Sequence, residues 1–304
     1  EINYQDETAI KLVYGEAFQE PPAKQLYGGW SDRNANPDLE PEESESFTAG
    51  IVWSGIDNFT VALDYYNIEI TNGVGTAGTN NVANGCYGSE NFSSPMCDLI
   101  KGHNYGPIDT PAHPTSPRRN VNGVISGILL TNANLSTFET SGIDFDFTYN
   151  MDVMGGSLSA SLNGTWLDSY EYTLIAGEET VQAAGFVAED QWEGSPSVFA
   201  ELRTNLSLTF TADDYSVNMT TRYQSEGKDI NADDTTLDSI ADSVVYVDLQ
   251  GTYHINDNYK ITAGARNLFD KQPPYMSNYD DMNTINNSYD LAGQYWYVSA
   301  TAKF

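Results

Sequence analysis

The sequence predicts an all-β chain that forms part of a transmembrane antiparallel β-barrel. Three observations predict it: segments in which apolar and polar residues alternate, short turns that alternate with long polar loops, and the lack of a long apolar run. A membrane-spanning helix needs roughly 20 consecutive apolar residues, whereas a spanning strand needs only about 9–11. Closed barrels are the strand structures that satisfy every backbone group inside a membrane.

Alternation is clearest near the end of the chain. Tyr259, Ile261 and Ala263 are predicted to share one face of a strand, with Lys260 and Thr262 on the other. In the last segment one face carries Trp296, Val298, Ala300, Ala302 and Phe304. A strand at this position needs a neighbour to pair its edge, so we expect it to close a barrel.

The loop lengths predict how the strands are arranged. Short turns are expected near residues 55, 153, 213 and 257, and long extracellular loops near 19–43, 72–135, 169–194, 225–242 and 271–293. Outer-membrane barrels have this asymmetry, with their short turns in the periplasm. The pattern gives about ten spanning strands.

Charge and composition restrict the classes of function. The formal net charge of −30 excludes nucleic acid as a partner, because binding to phosphates requires a basic surface. Carboxylates facing lipid are costly, so we expect the acidic groups in the loops and the lumen. The positive lumen side chains are expected to pair there with carboxylates, or with a separate domain that plugs the lumen. The basic residues are Arg203, Arg222, Lys260 and Arg266, and the acidic ones are Asp144, Asp146, Glu201 and Asp248.

The two cysteines, Cys86 and Cys97, lie in a stretch rich in Gly, Asn and Ser. Two cysteines supply too few ligands for a structural zinc site. We therefore expect a disulfide within a loop, formed in an oxidising compartment.

Motifs near both ends of the chain carry a family resemblance. The carboxy-terminal motif comprises 265–275 (ARNLFDKQPPY) and 295–304 (YWYVSATAKF). The amino-terminal motif comprises 14–22 (YGEAFQEPP), 36–42 (NPDLEPE) and 46–50 (SFTAG). Together they resemble the barrel of TonB-dependent outer-membrane receptors.

This resemblance implies a barrel of about 22 strands. The chain would supply about ten carboxy-terminal strands over residues 1–304, because the family's plug domain, TonB box and signal peptide have no counterpart in it. An alternative is that ten strands close a small pore by themselves.

The resemblance also implies a function and a location. We expect TonB-dependent active uptake of a scarce nutrient across the outer membrane of a Gram-negative bacterium, driven through the TonB–ExbB–ExbD complex. The ligand is an oligosaccharide or a ferric siderophore, and the acidic charge favours an uncharged nutrient. The alternative function is a passive porin or a surface adhesin, which would lack the motifs around Asn36 and Asn267. Lipid and lipopolysaccharide are expected to surround the barrel.

Several loop residues are candidates for ligand binding. Aromatic side chains stack on sugar rings and apolar scaffolds, although they also anchor loops and form the interfacial belt. The candidates are Tyr27, Trp30, Tyr105, Trp192 and Tyr275.

Metal and catalytic sites have weaker support in the sequence. Calcium prefers oxygen ligands, which Asp233-Asp234 and Asp280-Asp281 offer, but a solvated acidic surface bridged by divalent ions to lipopolysaccharide is the better explanation of these pairs. His103 and His113 share a loop without further spaced metal ligands. The sequence contains no hydrolase elbow, phosphate loop or metalloprotease motif, so we expect no resident cofactor and no enzymatic activity.

Overall fold

The computed structural model describes residues 2–3, 7–28, 35–75, 79–94, 96–97, 100–101, 127–128, 132–153, 155–173, 179–190, 195–233, 235–277, 279 and 282–303. Strands dominate. In chain order they are β1 (Ile2–Asn3), β2 (Thr8–Gln19), β3 (Glu42–Ile56), β4 (Phe59–Gly75), β5 (Ile100–Lys101), β6 (Gly127–Ile128), β7 (Ala133–Val153), β8 (Gly156–Thr173), β9 (Val181–Gln182), β10 (Phe186–Asp190), β11 (Ser195–Val198), β12 (Leu202–Thr211), β13 (Tyr215–Gln224), β14 (Gly227–Asp229), β15 (Ile240–Ala241), β16 (Val244–Asn256), β17 (Tyr259–Arg266) and β18 (Tyr295–Ala302).

Helical segments are few and short. They are α1 (Ala23–Tyr27), α2 (Thr79–Gly88) and a 3-10 turn at Glu90–Phe92. No helix in the described part of the chain is long and apolar enough to cross a membrane.

Ten long strands form one antiparallel sheet in the order β2-β3-β4-β7-β8-β12-β13-β16-β17-β18. β1 extends this sheet beside β2, and β9 pairs with β8. Consecutive long strands are neighbours throughout, which is the up-and-down arrangement that the alternating loop lengths predicted. The predicted fold class is thereby confirmed.

Strand register gives the sheet one apolar and one polar face. Ile10 pairs with Ile51, Ile51 with Leu63, and Leu63 with Phe145. Because side chains alternate between faces, these residues lie on the same side. Trp296 and other large apolar side chains on this side are exposed, which is expected for a surface that meets lipid. The opposite side, the lumen face, includes Asp64, which pairs with Asp144.

Strand connections differ in length at the two ends of the sheet. The turns at 57–58, 154–155, 212–214 and 257–258 are short, whereas the connections over 20–41, 76–132, 174–201, 225–243 and 267–294 are long. Asn58 adopts a left-handed φ of 62° at the first short turn. Several strands continue past the expected loop bounds, with β4 reaching Gly75 and β8 reaching Thr173.

The main hydrophobic core lies in the loops. β10, β11, β14 and β15 form a four-stranded sheet built from two different connections. A third connection, between β17 and β18, adds Met276, Ile285 and Tyr289, which pack with Val187 and Val198. Three of the long loops therefore fold into one unit above the end of the strands.

A smaller core surrounds the cysteines. Cys86 and Cys97 form a disulfide, with their Cα atoms 4.7 Å apart. Val82, Met96 and Ile100 are buried against it. The predicted disulfide is confirmed.

Candidate functional site

The candidate site is a recess on the lumen face, where strands β12, β13 and β16 meet the three packed loops. It has a volume of about 380 Å³. Segment 284–290 of the β17–β18 connection, here called the strap, forms its upper wall. The lining comprises Arg203, Thr204, Asn205, Arg222, Tyr223, Gln224, Val244, Tyr246, Asn287, Ser288, Tyr289 and Asp290.

Arg222 occupies the centre of this recess. Its guanidinium lies 3.5 Å from the Asp248 carboxylate of β16 and 3.7 Å from the Asp290 carboxylate of the strap. The Arg222 guanidinium carbon also sits 5.0 Å from the centre of the Tyr246 ring, within the range of a cation–π contact. Arg222 is therefore held in place from the strand side and from the loop side. Asp248 is one of the four carboxylates that were expected from the sequence to pair with the lumen bases.

Arg203 lies on the neighbouring strand β12 and has a different partner. Its guanidinium donates a hydrogen bond to the backbone carbonyl of Val198. The Val198 N–H in turn donates to the Ser288 hydroxyl of the strap at 3.0 Å. The sequence led us to expect a carboxylate partner for Arg203, whereas its described hydrogen bond is a local one to a backbone oxygen five residues earlier in the chain.

Packing and hydrogen bonds fix the strap over the recess. Ile285 and Tyr289 are buried in the loop core, with 1% and 7% of their surfaces exposed. The Asp290 N–H donates to the Tyr246 hydroxyl at 3.2 Å. The recess is thus walled on one side by a regular sheet and on the other by an ordered loop.

The carboxy-terminal motif supports this site from below. Asn267 is fully buried with a left-handed φ of 47°. Its side chain donates to the Lys271 carbonyl at 2.9 Å and accepts from the Lys271 N–H at 2.8 Å. The Asn267 N–H donates to the Asp248 carboxylate at 2.8 Å. Asp248 therefore joins the motif turn to Arg222.

The amino-terminal motif has a structural role of the same kind. Asn134 donates one hydrogen bond to the Glu40 carbonyl at 2.8 Å and one to the Asn72 carbonyl at 2.7 Å. Its side-chain oxygen accepts from the Glu40 N–H at 2.8 Å. Asn36 donates to the Asn132 carbonyl at 3.0 Å. These bonds attach the first long loop to the start of β7.

The two predicted aromatic candidates that lie within the described residues do not contribute to the recess. Tyr27 and Tyr275 are exposed by 76% and 60%, and neither lines the recess. Trp30, Tyr105 and Trp192 lie outside the described residues. The Thr235 and Thr236 hydroxyls donate hydrogen bonds to the Asp233 carboxylate. The remaining metal candidates, Asp234, Asp280, Asp281, His103 and His113, lie outside the described part of the chain. Within the described ranges, no cluster of three or more metal-ligating side chains occurs.

Sequence reasoning marked the two arginines as lumen charges but missed Tyr246 and Tyr289 as recess residues. One signal was available: Arg203 and Arg222 are two of only 13 basic residues and belong to adjacent predicted strands. No comparable signal marked the two tyrosines, because Tyr246 lies on a strand and Tyr289 lies in a loop 43 positions away.

Comparisons with known proteins agree with this architecture. The family model for the TonB dependent receptor-like β-barrel matches residues 2–268. The chain belongs to the TonB-dependent receptor family. Receptors of this family are β-barrels of the Gram-negative outer membrane, so the expected fold and location are confirmed. They are transporters that work with TonB and bind small-molecule ligands.

Solved structures show the same fold at low sequence identity. The outer membrane transporter YddB from Escherichia coli aligns with a TM-score of 0.62 at 11% identity, over 99% of this chain and 39% of that one. The ferric enterobactin receptor PfeA from Pseudomonas aeruginosa, an R480A mutant in complex with enterobactin, aligns with a TM-score of 0.60 at 18% identity, over 99% and 39%. The copper transporter OprC aligns at 0.55 and 15%, over 99% and 38%.

The chain therefore spans about two fifths of the length of the structures that it matches. No curated protein matches the sequence significantly.

Proposed function

We propose that the complete protein imports a scarce nutrient across the outer membrane by TonB-dependent active transport, and that residues 1–304 form the carboxy-terminal part of its barrel. The observation that carries this proposal is the recess on the lumen face, built from strand residues and closed above by the strap. A family barrel with a polar, aromatic-lined recess beneath its extracellular loops is suited to capturing a small molecule. The upstream region would supply the plug.

The passive alternative is a general porin or an adhesin. A porin needs an open aqueous path along its lumen. Here three long loops share one hydrophobic core, and the strap is tied to the wall by Arg222 and Tyr246. An ordered loop unit over the lumen face favours gated capture over free diffusion.

The partners follow from this mechanism. The TonB–ExbB–ExbD complex would act through the region upstream, and lipid and lipopolysaccharide would surround the apolar face. The ligand is an oligosaccharide or a ferric siderophore. The ferric enterobactin receptor and the copper transporter are only 18% and 15% identical to the chain, so their likeness concerns the fold alone and favours neither ligand class.

The test is uptake by cells that express the full-length gene. Labelled maltooligosaccharides and ferric siderophores are supplied to wild-type cells, to cells lacking TonB and to cells treated with a protonophore. We expect saturable uptake of one class that stops in both energy-deficient conditions. Uptake that continues without TonB, together with ion conductance of the purified protein in planar bilayers, would establish the porin alternative instead.

A further inference from the structure

All three arginines in the described part of the chain lie at one end of the lumen face. Arg203 is near the start of β12, Arg222 is near the end of β13, and Arg266 is the last residue of β17. The first two line the recess. Arg266 faces the lumen because its neighbour Ala265 pairs with Leu249 on the apolar face. In a chain with a formal net charge of −30, this grouping of cations is a local feature of the recess.

Only one of these arginines has carboxylate partners among the described residues. Arg222 is paired with Asp248 and Asp290. Arg203 and Arg266 are both exposed, and neither forms an ion pair with a described carboxylate. A guanidinium has five N–H donors, and the described hydrogen bond of Arg203 is the single one to the Val198 carbonyl. The Arg203 guanidinium therefore keeps donors that a ligand can use.

Arg203 lies between two recesses. The second recess has a volume of about 370 Å³ and shares Arg203, Asn287 and Ser288 with the first. It adds the Thr165 and Phe199 side chains to the lining. Each volume is in the range of small-molecule sites. An elongated ligand that crosses Arg203 would contact both recesses.

The charges around the recess indicate which anion fits. The three arginines and the two aspartates that contact Arg222 sum to one positive charge. A carboxylate carries one negative charge, and its planar shape matches the guanidinium fork. A phosphate or a ferric complex with several charges needs more positive charge than this. The net charge of the whole chain favours an uncharged ligand, but salt screens charges farther away than about 8 Å at physiological ionic strength. The charges beside the ligand therefore decide.

We propose that the two recesses bind an acidic oligosaccharide, and that the Arg203 guanidinium holds the carboxylate of one uronic acid unit. The inference rests on the proposed function, because it names the substrate class of the same site. Asn205, Ser288 and Thr165 offer amide and hydroxyl groups for the sugar hydroxyls. Arg266, farther along the wall, adds positive potential without touching that carboxylate.

The experiment uses the purified full-length receptor and titration calorimetry. The probes are trisaccharides of galacturonate, mannuronate and glucuronate, each beside its methyl ester, which keeps the sugar and removes the charge. Ferric enterobactin is the multiply charged comparison. We expect at least one uronate to bind, its methyl ester to bind at least tenfold more weakly, and ferric enterobactin not to bind.

Variants of Arg203 test the residue itself. Arg203→Gln is expected to raise the dissociation constant of the bound uronate tenfold or more, because it removes a charge-assisted pair of hydrogen bonds. Arg203→Lys keeps the charge but not the fork, so we expect a smaller rise of at least threefold. Both variants should unfold near the wild-type temperature, since Arg203 is exposed. If Arg203→Gln unfolds early, Arg203→Lys provides the test.

Lys228→Gln is the matched control. It removes the same charge from an exposed loop position that lines neither recess. We expect it to leave the uronate affinity unchanged. An equal loss of affinity in this control and in Arg203→Gln would mean that net charge, and not the Arg203 fork, attracts the ligand, which would overturn the proposal.

Three further outcomes would overturn it. One is that no uronate binds, whether or not ferric enterobactin does. Another is that a methyl ester binds as tightly as its acid. The last is wild-type uronate affinity in both Arg203 variants, which would place the carboxylate site elsewhere in the receptor. Because this binding needs no TonB, a receptor that binds no uronate but imports a neutral oligosaccharide in a TonB-dependent way would overturn this inference alone and leave the proposed function standing.

Discussion

The Arg222 guanidinium lies 3.7 Å from the Asp290 carboxylate, which joins strand β13 to the strap across 68 positions of sequence. Asp248 holds the same guanidinium from the neighbouring strand at 3.5 Å. Arg222 is thus the point at which the sheet and the loop unit are connected by charge. Its two partners keep the guanidinium over the Tyr246 ring.

Replacing Asp290 by Ala is expected to loosen the strap without unfolding the sheet. The pair is partly exposed, with 39% and 24% of the two side chains accessible, so the expected loss of stability is about 1 kcal/mol or less. Hydrogen exchange followed by mass spectrometry should show faster exchange in peptides covering 284–294. Asp213→Ala, at an exposed short turn, is the control. Unchanged exchange in the strap would show that its hydrophobic packing alone holds it.

Replacing Asn267 by Ala is expected to destabilise the protein by about 2–4 kcal/mol, because it removes two part-buried hydrogen bonds to the Lys271 backbone and strains a left-handed residue. Thermal unfolding in detergent, followed by the mobility shift of heated and unheated samples, measures this loss. Asn58→Ala is the control, since Asn58 has a similar φ of 62° but is exposed. Equal losses in the two variants would mean that backbone strain alone explains the effect.

Five glutamates lie directly opposite one another across five adjacent strands. Glu16 pairs with Glu45, Glu45 with Glu69, Glu69 with Glu139, and Glu139 with Glu171. The row continues the apolar face toward the long loops. Like charges in this position repel.

Replacing Glu69, at the middle of this row, by Gln is expected to stabilise the protein by about 0.2–1 kcal/mol. Salt screens exposed charges, so the gain should shrink as ionic strength rises. Unfolding temperatures at low and high salt measure both effects. Glu226→Gln alters the net charge equally from an exposed loop position. If Glu226→Gln stabilised the protein by the same amount, the lower net charge would explain the gain, and repulsion within the row of glutamates would not.

Removing the disulfide with Cys86→Ser and Cys97→Ser is expected to open its loop alone. The closed loop is short, with a sequence separation of 11, so the local loss is about 3 kcal/mol. Limited proteolysis should then cut within 79–101, while the unfolding temperature of the sheet stays unchanged. The buried position of both sulfurs should protect the wild type from mild reductant. A fall in the unfolding temperature of the whole protein would contradict this separation.

Much of the fold could be predicted because each strand is visible in a short window of sequence. The alternation in 143–149 and in 296–302 reports directly which side chains face lipid, since neighbouring residues in a strand point to opposite sides. Turn positions follow from Gly, Asn and Asp clusters. The disulfide could be predicted because only one pairing of two cysteines exists.

The candidate site could not be predicted in the same way. Tyr27 and Tyr275 were chosen as large aromatics in polar loops, but a local window does not tell which loops pack together. The recess depends on Tyr289 meeting Gln224, and on β10 pairing with β14, whose partner residues are 42 positions apart. Aromatic type alone does not separate a buried recess residue from an exposed one.

The amino-acid sequence by itself determined the strand pattern, the face that meets lipid, the side of the long loops and the family, because these depend on local alternation and on contiguous motifs. Only the tertiary structure decided that three loops form one core, that Arg203 donates a hydrogen bond to a backbone carbonyl, and that Tyr289 and Gln224 meet at the same recess. The physical reason is that burial and hydrogen bonding depend on contacts between segments far apart in the chain, and those contacts exist only once the sheet has brought the segments together.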